Sequence, residues 1–595
     1  MASSGNFAVW NKLAGTLSNA AGVDTLYEHG NTSFRGNDGS GNNGFSPLTL
    51  HMTSGKWYFE VYLDGSPAGG WPGIGIIKAD NITDAQRTGN FQNKNYSSHV
   101  IATNGNKNVF DQTSNASYGT SFSSGDIYNI AVDIDGGKVW WGKNNTYFNS
   151  GNPATGTNAG DTFTAGTEMA LFATVYNGAS KCVINSGQNS TFNGAITAGS
   201  NADGNGFGDF KYSPPSGYLA LCSANLPMAA SVDPAETDDN HPQKNVNALL
   251  YSGDGTSSNA ITGLGFQPDF IWIKERNGTN SYSHSLHDSL RGRDKVIFAG
   301  SNREEDISTS TQDLVSFGTD GFTVGSSQES KVNGTGSTFI SWNWRANAGT
   351  NATNTSGTIT STVQANQDLG FSIVSWTGTG TNSTVGHGLS AAPDCMWIKN
   401  RTDNVGSDGD ASGRNWVVFN SGLGSSDILS LNQTNNKDTG TGYLNGTDPT
   451  STVFTVGESV DTNESSHAMI AYCWHNIVGY QKFGVYTGNG NADGPYVNVG
   501  FRPRIVITKM TNGTYSEHWD IWDSVDDTKG DPCGNDIEEL QRTNTSTEGT
   551  SSTIDINFFS NGFKITGSNG EQNEDNKTLA YFAWADVPFK YGNGF

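Results

Sequence analysis

Charged residues are scarce in this chain of 595 residues, at 15% of the total against about 25% in a typical soluble protein. The 57 acidic residues outnumber the 33 basic ones, so the formal net charge is −24. A negative surface repels a phosphate backbone, which argues against nucleic acid as a partner. We therefore expect no nucleic-acid-binding function.

Cysteine and long apolar runs are also rare. The five cysteines are odd in number and contain no Cys-x-x-Cys pair: Cys182, Cys222, Cys395, Cys473 and Cys533. Neither a disulfide framework nor a zinc site is expected, and the thiols should be small buried groups. No run approaches the ~18 apolar residues of a membrane span, and no secretory signal is evident. We expect no membrane insertion.

Glycine is abundant, with 76 residues, and stretches of Asn, Ser and Thr are long. Gly costs about 1 kcal/mol per helical position relative to Ala, and the short polar side chains compete for the hydrogen bonds of the helical backbone. Aromatic residues make up 11% of the chain, enough to argue against plain disorder. These features predict an all-β protein, and the length predicts several domains, of which we expect four.

Residues 1–195 alternate as half-buried strands do. In Trp57-Tyr58-Phe59-Glu60-Val61-Tyr62-Leu63 the odd positions share one face, which should be core. Residues 127–134 then lead into Asp135-Gly136-Gly137, and residues 139–141 lead out. This pattern predicts a strand, a tight turn and a returning strand.

Three runs in this segment, 55–61, 70–76 and 132–139, together resemble a SPRY domain: Gly-Lys-Trp-Tyr-Phe-Glu-Val, Gly-Trp-Pro-Gly-Ile-Gly-Ile and Val-Asp-Ile-Asp-Gly-Gly-Lys-Val. The resemblance covers roughly a third of the chain. It implies a compact β-sandwich that binds partners through loops at one edge and has no chemistry of its own.

Two aromatic residues in polar loops, Tyr96 and Tyr118, are candidate ligand contacts. Amphipathic rings suit both sugar faces and the centres of protein interfaces. Most tyrosines in such loops are ordinary surface residues, so this assignment is a hypothesis about binding.

Residues 196–246 are predicted to be a linker along the surface, because they contain turn-forming groups and an acidic run, Glu236-Thr237-Asp238-Asp239. The remainder of the chain carries an internal repeat. Tyr251-Ser252-Gly253-Asp254-Gly255 recurs as Trp376-Thr377-Gly378-Thr379-Gly380 and as Tyr486-Thr487-Gly488-Asn489-Gly490, with steps of 378 − 253 = 125 and 488 − 378 = 110 residues.

Fixed offsets support the repeat. A proline stands 15 residues after the first glycine of each pattern: Pro268, Pro393 and Pro503. A lysine follows six residues after each proline: Lys274, Lys399 and Lys509. Near its end, each copy has a strand that contains a tryptophan: Trp344, Trp474 and Trp584. A unit of about 110 residues is too long for a solenoid repeat and suits a separate domain. We predict three tandem β-sandwich domains, repeat 1 (247–348), repeat 2 (371–482) and repeat 3 (483–595), with a linker at 349–370.

The repeated pattern resembles a tandem module of uncharacterised function in tail-fibre-like proteins of marine bacteriophages, often found downstream of a SPRY domain. This resemblance covers about residues 247–590. It implies a structural protein of the virion.

Candidate chemistry is sparse. His284, His287 and Asp288 lie close in sequence, as metal ligands do, but repeats 2 and 3 place aromatic residues at the two histidine positions, which favours packing. The aligned residues Asp288, Asn420 and Asp523 are better explained as turn caps than as catalytic acids.

Two acidic stretches raise the question of calcium. Asp133-Ile134-Asp135-Gly136 lacks a Glu at the twelfth position, where Asn144 stands, and favours a hairpin. Glu304-Glu305-Asp306 is more typical of a solvated loop than of a calcium site. We expect no catalytic residue, no metal site and no cofactor.

The sequence therefore predicts a non-enzymatic bacteriophage virion protein, a tail fibre or other adhesin that binds a host surface glycan or protein. Other virion proteins are expected partners, and a homotrimer is an open possibility. A capsid decoration or tail-assembly protein is the alternative. A glycan-degrading tailspike is less favoured, because no pair of carboxylates stands out.

Overall fold

The computed structural model describes residues 5–15, 26–36, 43–65, 72–88, 98–109, 115–176, 180–277, 284–326, 332–402, 414–515, 517–525, 536–537, 539–542, 549–550 and 555–591. They belong to two compact units. Unit 1 comprises Met1–Pro227 with Pro495–Asn498, and unit 2 comprises Met228–Gly494 with Val499–Phe595. Strands dominate both units, which confirms the predicted all-β class.

Unit 1 is a two-sheet sandwich with one short α-helix, α1 (Ile82–Thr88). Its strands are β1 (Leu26–Glu28), β2 (Ser33–Arg35), β3 (Asn43–Pro47), β4 (Lys56–Gly65), β5 (Gly73–Lys78), β6 (Ser98–Ala102), β7 (Asn106–Val109), β8 (Asn115–Ser117), β9 (Ile127–Asp133), β10 (Lys138–Lys143), β11 (Thr146–Tyr147), β12 (Asp161–Thr162), β13 (Met169–Tyr176), β14 (Ser180–Asn185) and β15 (Leu219–Ala220). One sheet has the order β1-β2-β14-β4-β9-β10-β11, with β12 on β10 and β15 on β4, and the other the order β3-β13-β5-β6-β7-β8.

The predicted hairpin is formed by β9 and β10, which pair antiparallel from Asp133 and Lys138. Gly137 in the turn has a φ of +60°, a conformation that glycine adopts without the steric penalty of a side chain. The Asp133 carboxylate accepts a hydrogen bond from the Gly136 amide at 2.8 Å and pairs with Lys56 at 3.3 Å. Asp133 thus caps a hairpin turn, in agreement with the prediction that this segment, which lacks the Glu of a calcium loop at its twelfth position, forms a hairpin.

Strand β4 is buried on both faces, although its alternation predicted one buried face. Tyr58 and Glu60 on the second face are 1% and 0% exposed. The segment that follows the sandwich covers them, since Phe210 and Tyr218 pack in one core cluster with Tyr58. The predicted linker 196–246 is therefore divided: its first part, to Pro227, is an integral part of unit 1.

Glu60 attaches this covering segment to β4. Its carboxylate accepts hydrogen bonds from the backbone amides of Lys211 and Tyr212, both at 2.8 Å, and from the Asn185 side chain at 3.0 Å. Burial raises the pKa of Glu60 to about 7, against the opposing effect of these hydrogen bonds. A carboxyl group of this kind is protonated more readily in the folded chain than in the unfolded chain.

We expect this group to make unit 1 less stable as the pH rises. The unfolded carboxyl group ionises near pH 4.5 and the folded one near pH 7, so folding takes up a proton between these values. The free energy of unfolding should fall by about 3 kcal/mol across this window and stay level above it. Hydrogen exchange of the β4 and β9 amides, compared between the wild type and Glu60→Gln, measures the effect. Equal pH slopes in the two proteins would refute it.

Unit 2 contains the three repeats. The strands of repeat 1 are β16 (Val246–Ser252), β17 (Asn259–Thr262), β18 (Phe270–Glu275), β19 (Ser285–Asp288), β20 (Lys295–Phe298), β21 (Asp306–Ile307), β22 (Leu314–Gly318), β23 (Gly321–Val324) and β24 (Thr338–Trp344). Those of repeat 2, with the segment before it, are β25 (Ala352–Asn354), β26 (Ser361–Asn366), β27 (Phe371–Thr377), β28 (Ser383–Gly386), β29 (Cys395–Asn400), β30 (Val417–Asn420), β31 (Asp427–Ile428), β32 (Asp438–Thr439), β33 (Val453–Val456) and β34 (Ala468–Trp474), with helix α2 (Val460–Asn463).

Repeat 3 completes the unit. Its strands are β35 (Gln481–Thr487), β36 (Tyr496–Asn498, which groups with unit 1), β37 (Phe501–Met510), β38 (Trp519–Asp523), β39 (Asp536–Ile537), β40 (Glu539–Arg542), β41 (Gly549–Thr550), β42 (Ile556–Phe559), β43 (Gly562–Ile565) and β44 (Thr578–Pro588), with helix α3 (Gly570–Asn573). The main sheets share one strand order: β16-β24-β18-β19, β27-β34-β29-β30 and β35-β44-β37-β38.

The three repeats close into a ring. Trp344, Trp474 and Trp584, here called the tryptophan triangle, pack edge to face in every pairing, with centroid distances of 6.2 Å (344 to 474), 5.8 Å (474 to 584) and 5.3 Å (584 to 344). Each repeat supplies one ring, and each ring touches the other two. The repeats are thus related by a pseudo-threefold rotation and share a core. They form one compact unit rather than the three separate domains that the sequence predicted.

The main sheets of repeats 1 and 2 have a second buried face, opposite the shared core. In repeat 2, Trp376 on β27 packs with Phe454 on β33. In repeat 1, Ile271 on β18 packs with Phe322 on β23. Each of these two repeats therefore has a layer of its own outside the ring core.

The segments between the repeats are ordered parts of unit 2. The predicted linker 349–370 contains β25 and β26, which extend the main sheet of repeat 2. The second part of the predicted linker 196–246 lies against repeat 3, where Asp233 pairs with Lys590 at 3.3 Å. The turn-forming groups and the acidic run of 196–246, which predicted a linker, therefore belong to packed segments.

Candidate binding surface

The loop edge of unit 1 is formed by the segments 118–126 and 143–150, which expose mainly Ser, Thr and Asn side chains. Lys143 joins the two segments, because its ammonium group donates to the Ser121 carbonyl at 2.8 Å and pairs with Asp126 at 2.6 Å. Phe122 stacks on Tyr128 with a centroid distance of 3.7 Å and anchors the first segment in the core. The edge is therefore a polar surface on a rigid base.

Tyr118, at the start of the first segment, packs against the aromatic residues under this edge. Its half-buried ring packs edge to face against Trp141 at 6.0 Å and Phe148 at 5.8 Å. The hydroxyl group is buried, and this burial, together with the negative charge of Asp161, raises the pKa of Tyr118 to about 12. Any ligand contact of Tyr118 must therefore use the ring rather than the hydroxyl group. Tyr96, the other predicted contact, lies outside the described residues.

The histidines of repeat 1 are buried packing residues. His284 accepts a hydrogen bond from the Trp272 indole at 2.8 Å and stacks on Trp342. His287 is fully buried, and burial lowers its pKa to about 4, which keeps the ring neutral. Among the described residues, no group of three or more His, Cys, Asp or Glu side chains is placed to hold a metal ion.

Asp288, Asn420 and Asp523 cap turns, as predicted. Each accepts a hydrogen bond from a backbone amide two or three residues further on: Arg291 at 2.8 Å, Gly422 at 2.9 Å and Val525 at 2.9 Å. The same three side chains also form hydrogen bonds between neighbouring repeats. Their partners in the next repeat are the Tyr472 hydroxyl (2.7 Å from Asp288), the Tyr581 carbonyl (3.3 Å from Asn420) and the Trp342 indole (3.2 Å from Asp523). These three contacts run from repeat 1 to 2, 2 to 3 and 3 to 1, so the ring is closed.

The repeated lysine is a second link between repeats. In repeats 2 and 3 the ammonium group donates to two carbonyls of its own repeat and one of the preceding repeat. The acceptors are Asn400 (2.9 Å), Arg414 (2.8 Å) and Asn302 (3.2 Å) for Lys399, and Met510 (3.0 Å), Glu517 (2.9 Å) and Thr434 (3.1 Å) for Lys509. Burial lowers the pKa of both Lys274 and Lys509 to about 8.

The acidic stretch 304–306 also belongs to the joint between repeats 1 and 2. Glu305 pairs with Arg291 at 3.1 Å and with Arg401 of repeat 2 at 2.8 Å. Asp306 pairs with Arg303 at 3.2 Å. Glu305 and Asp306 therefore have cationic partners of their own, whereas Glu304 is exposed as expected for a solvated loop.

The most regular surface feature of unit 2 is a loop that occurs once per repeat. The clamped loops are residues 253–258, 378–383 and 488–493, and each is held by one buried asparagine: Asn333, Asn463 and Asn573. The asparagine oxygen accepts from the backbone amides of Asp254 (3.0 Å), Thr379 (2.9 Å) and Asn489 (2.7 Å). Its amide donates to the carbonyls of Thr256 (3.0 Å), Thr381 (2.6 Å) and Asn491 (2.7 Å).

The clamped loops also share one left-handed backbone angle. The second glycine of each, Gly255, Gly380 or Gly490, has a φ of +70°, +72° or +65°. These glycines form a recognisable Gly-x-Gly pattern in the sequence, but the asparagines that hold them were not predicted. A signal was present, because each asparagine stands 11 residues before the tryptophan of the triangle (344 − 333, 474 − 463 and 584 − 573).

We expect Asn463→Ala to destabilise unit 2 by about 1–3 kcal/mol, because it leaves buried polar groups of the loop without partners. Asn435→Ala, at an exposed position of the same repeat, is the control and should change stability by less than about 0.5 kcal/mol. Denaturant unfolding measures both. An Asn463→Ala protein as stable as the control would show that the clamp has no role in stability.

None of the helices in the described part of the chain is long and apolar enough to cross a membrane.

The described cysteines, Cys182, Cys222, Cys395 and Cys473, are buried free thiols, as expected, and Cys533 lies outside the described residues.

Comparisons with known proteins agree with the division into two units. The SPRY domain model matches residues 56–189, within unit 1, which confirms that part of the sequence-based prediction. Among solved structures, the chain is similar to the SPRY domain of human HERC1, with 18% identity over 27% of this chain and 96% of that one, at a TM-score of 0.22. A human SPRY domain is similar at 12% identity over 28% and 96% of the two chains, at a TM-score of 0.21.

A comparison with curated proteins finds no match. A single family model, described as a domain of unknown function (DUF7483), matches residues 241–588 and so includes all three repeats. This match covers 348 of the 595 residues (588 − 241 + 1), which is more than half, and the chain therefore belongs to the DUF7483 family.

Proposed function

We propose that the chain is a bacteriophage virion protein, a tail fibre or other host-contacting adhesin, that acts by binding and not by catalysis. The observation that carries this proposal is the closed ring, a rigid scaffold that presents the same clamped loop three times. Several weak sites on one rigid scaffold gain avidity, which suits reversible attachment to a repetitive host surface. The resemblance of the repeats to a module of phage tail-fibre-like proteins supports the virion assignment.

The SPRY domain of unit 1 supports a binding role as well. Its loop edge exposes polar side chains on a rigid aromatic base, an arrangement suited to contact with a host glycan or protein. The residues that came closest to a catalytic group also favour binding over chemistry, since His284, His287 and Asp288 are engaged in packing and in the joints of the ring.

Three measurements test the proposal. Mass spectrometry of purified particles should detect this polypeptide, and its absence would end the virion assignment. Electron microscopy with a labelled antibody should then locate it on the tail. A label on the capsid surface would favour the alternative, a capsid decoration protein, and release of reducing sugars from a host polysaccharide would favour a tailspike.

The oligomeric state is part of the same proposal. The threefold arrangement of unit 2 is made within one chain, so a homotrimer is not needed to build it. Light scattering of the purified chain distinguishes a monomer from the trimer that is common among fibres.

A further inference from the structure

The three joints between the repeats differ in how the chain crosses them. Repeats 1 and 2 follow each other in the chain, as do repeats 2 and 3. Each of these two joints is therefore crossed by a connecting segment, 345–370 in the first case and 475–480 in the second. Repeats 3 and 1 are not consecutive, so non-covalent contacts alone hold the joint between them.

One aligned position reflects this difference. The residue after the repeated proline is Asp269 in repeat 1, Asp394 in repeat 2 and Arg504 in repeat 3. The Asp269 carboxylate accepts a hydrogen bond from the Ala346 amide at 2.8 Å, and the Asp394 carboxylate accepts one from the Asn476 amide at 2.7 Å. Both aspartates thus hold the connecting segment by which the chain leaves their repeat.

Arg504 instead reaches across the joint to repeat 1. Two nitrogens of its guanidinium group donate to the side-chain oxygen of Asn247 in β16, at 2.6 and 3.0 Å. A third nitrogen pairs with Asp586 of β44 at 3.3 Å. Asp586 also accepts a hydrogen bond at 2.5 Å from Gln243, which stands shortly before β16. The guanidinium group therefore connects the first strand of repeat 1 to the last strand of repeat 3.

Both sides of this contact differ from the other repeats. Arg504 is aligned with two aspartates, and Asn247 is aligned with Ser372 and Lys482. We infer that the contact of Arg504 with Asn247 and Asp586 is a clasp, and that unit 2 opens at the joint between repeats 3 and 1 when the clasp is released. This conformational device goes beyond the proposed binding function and does not depend on the virion assignment.

Two physical effects favour opening at this joint. A joint without a connecting segment gains more conformational freedom on opening than one whose two sides stay linked over a short segment. The clasp is also partly exposed, at 16% for the Arg504 side chain and 15% for Asp586, so salt can screen it. Asp269, by contrast, is fully buried. Repeats 1 and 2 each keep their outer core when the joint opens.

Two buried positions can report the opening of single joints. Ala248 on β16 pairs with Trp342, whose indole contacts repeat 3, and the aligned Ile373 on β27 pairs with Tyr472, whose hydroxyl contacts repeat 1. Paired residues lie on the same face of a sheet, so Ala248 reports the joint between repeats 3 and 1, and Ile373 reports the joint between repeats 1 and 2. Both side chains are fully buried.

The full-length chain with Ala248→Cys or Ile373→Cys would be labelled with N-ethylmaleimide, and mass spectrometry of peptides would separate each new thiol from the native cysteines. The labelling rate follows the fraction of open molecules. In the otherwise wild-type chain, Ala248→Cys should be labelled several-fold faster than Ile373→Cys. Raising the salt concentration to about 1 M should increase this difference, because screening weakens the clasp.

Removal of the clasp should act on one joint only. Arg504→Met should speed the labelling of Ala248→Cys about 10- to 100-fold, the effect of losing hydrogen bonds to a charged group, and change that of Ile373→Cys less than about threefold. The matched control is Arg401→Met, which removes an equally exposed cation from Glu305 at the joint between repeats 1 and 2. It should not speed the labelling of Ala248→Cys.

Three results would overturn the inference. Labelling of Ile373→Cys at least as fast as that of Ala248→Cys in the wild-type background would mean that unit 2 does not open first at the clasp. An Arg504→Met chain with unchanged labelling would show that Arg504 does not hold the joint. Equal acceleration at both cysteines would report a general loss of stability instead.

Circular dichroism establishes that each variant is folded. If Arg504→Met does not fold, the comparison in the wild-type background and the milder variant Arg504→Lys decide the question. Lysine keeps the positive charge but cannot reproduce the planar fork of the guanidinium group. Arg504→Lys should therefore speed the labelling of Ala248→Cys and not that of Ile373→Cys, and the same labelling rates as in the wild type would count against the clasp.

Discussion

Trp474→Ala should lower the free energy of unfolding of unit 2 by roughly 3–5 kcal/mol, the cost of deleting a large buried aromatic side chain. The effect should not be confined to repeat 2. The Trp474 ring packs on Trp344 of repeat 1 at 6.2 Å and on Trp584 of repeat 3 at 5.8 Å, so its removal leaves a cavity that all three repeats line. Denaturant unfolding gives the loss of stability, and hydrogen exchange gives its distribution.

The control for this prediction is Trp376→Ala. Trp376 is also buried, but it packs on Phe454 in the layer that belongs to repeat 2 alone. We expect faster exchange in β24 and β44 for Trp474→Ala, and wild-type exchange in these strands for Trp376→Ala. If Trp474→Ala left the protection of β24 and β44 unchanged, the repeats would unfold independently, and the shared core would not couple their stabilities.

Arg291→Met should destabilise unit 2 by about 3–5 kcal/mol, because it removes the cation from a buried ion pair and leaves the anions without it. The Arg291 side chain is fully buried, pairs with Asp288, and lies 3.1 Å from Glu305. Denaturant unfolding at low and high salt measures the loss, which should depend little on salt because buried pairs are poorly screened.

Two further variants sharpen this prediction. Arg303→Ala, at a partly exposed pair with Asp306 in the same region, should cost less, about 1 kcal/mol. The double variant Arg291→Met/Asp288→Asn should be more stable than Arg291→Met alone, because the amide needs no cation and repeat 2 already has Asn420 at this position. A double variant as unstable as Arg291→Met would show that an unpaired Asp288 is not the cause of the loss.

Much of the fold could be predicted from local patterns. The β9–β10 hairpin follows from a turn sequence between two apolar runs, and the match between repeats follows from constant offsets of glycine, proline and lysine. What these patterns could not predict is which surfaces become buried. The sequence of strand β4 predicts one buried face, because the second face carries Tyr58, Glu60 and Tyr62. That face is buried only because the later segment around Phe210 covers it.

The candidate binding surface was predictable in part. Tyr118 was identified as a loop aromatic, but its inward hydroxyl group depends on Trp141 and Phe148, which are distant in sequence. The clamped loops were visible as a Gly-x-Gly pattern. Their asparagines were not recognised, because Asn is common throughout the chain and a single Asn carries little signal.

By itself, the sequence determined the all-β class, the SPRY domain and the threefold internal repeat, because composition, alternation and spacing are local or periodic properties. Only the tertiary structure decided that the repeats form one ring, that Lys399 and Lys509 reach into the preceding repeat, and that the segments between the repeats are ordered. The physical reason is that closure depends on contacts between residues more than 100 positions apart, such as Asp288 with Tyr472 and Trp342 with Asp523, where |i − j| is 184 and 181. A single linear sequence contains no periodic signal for such pairings.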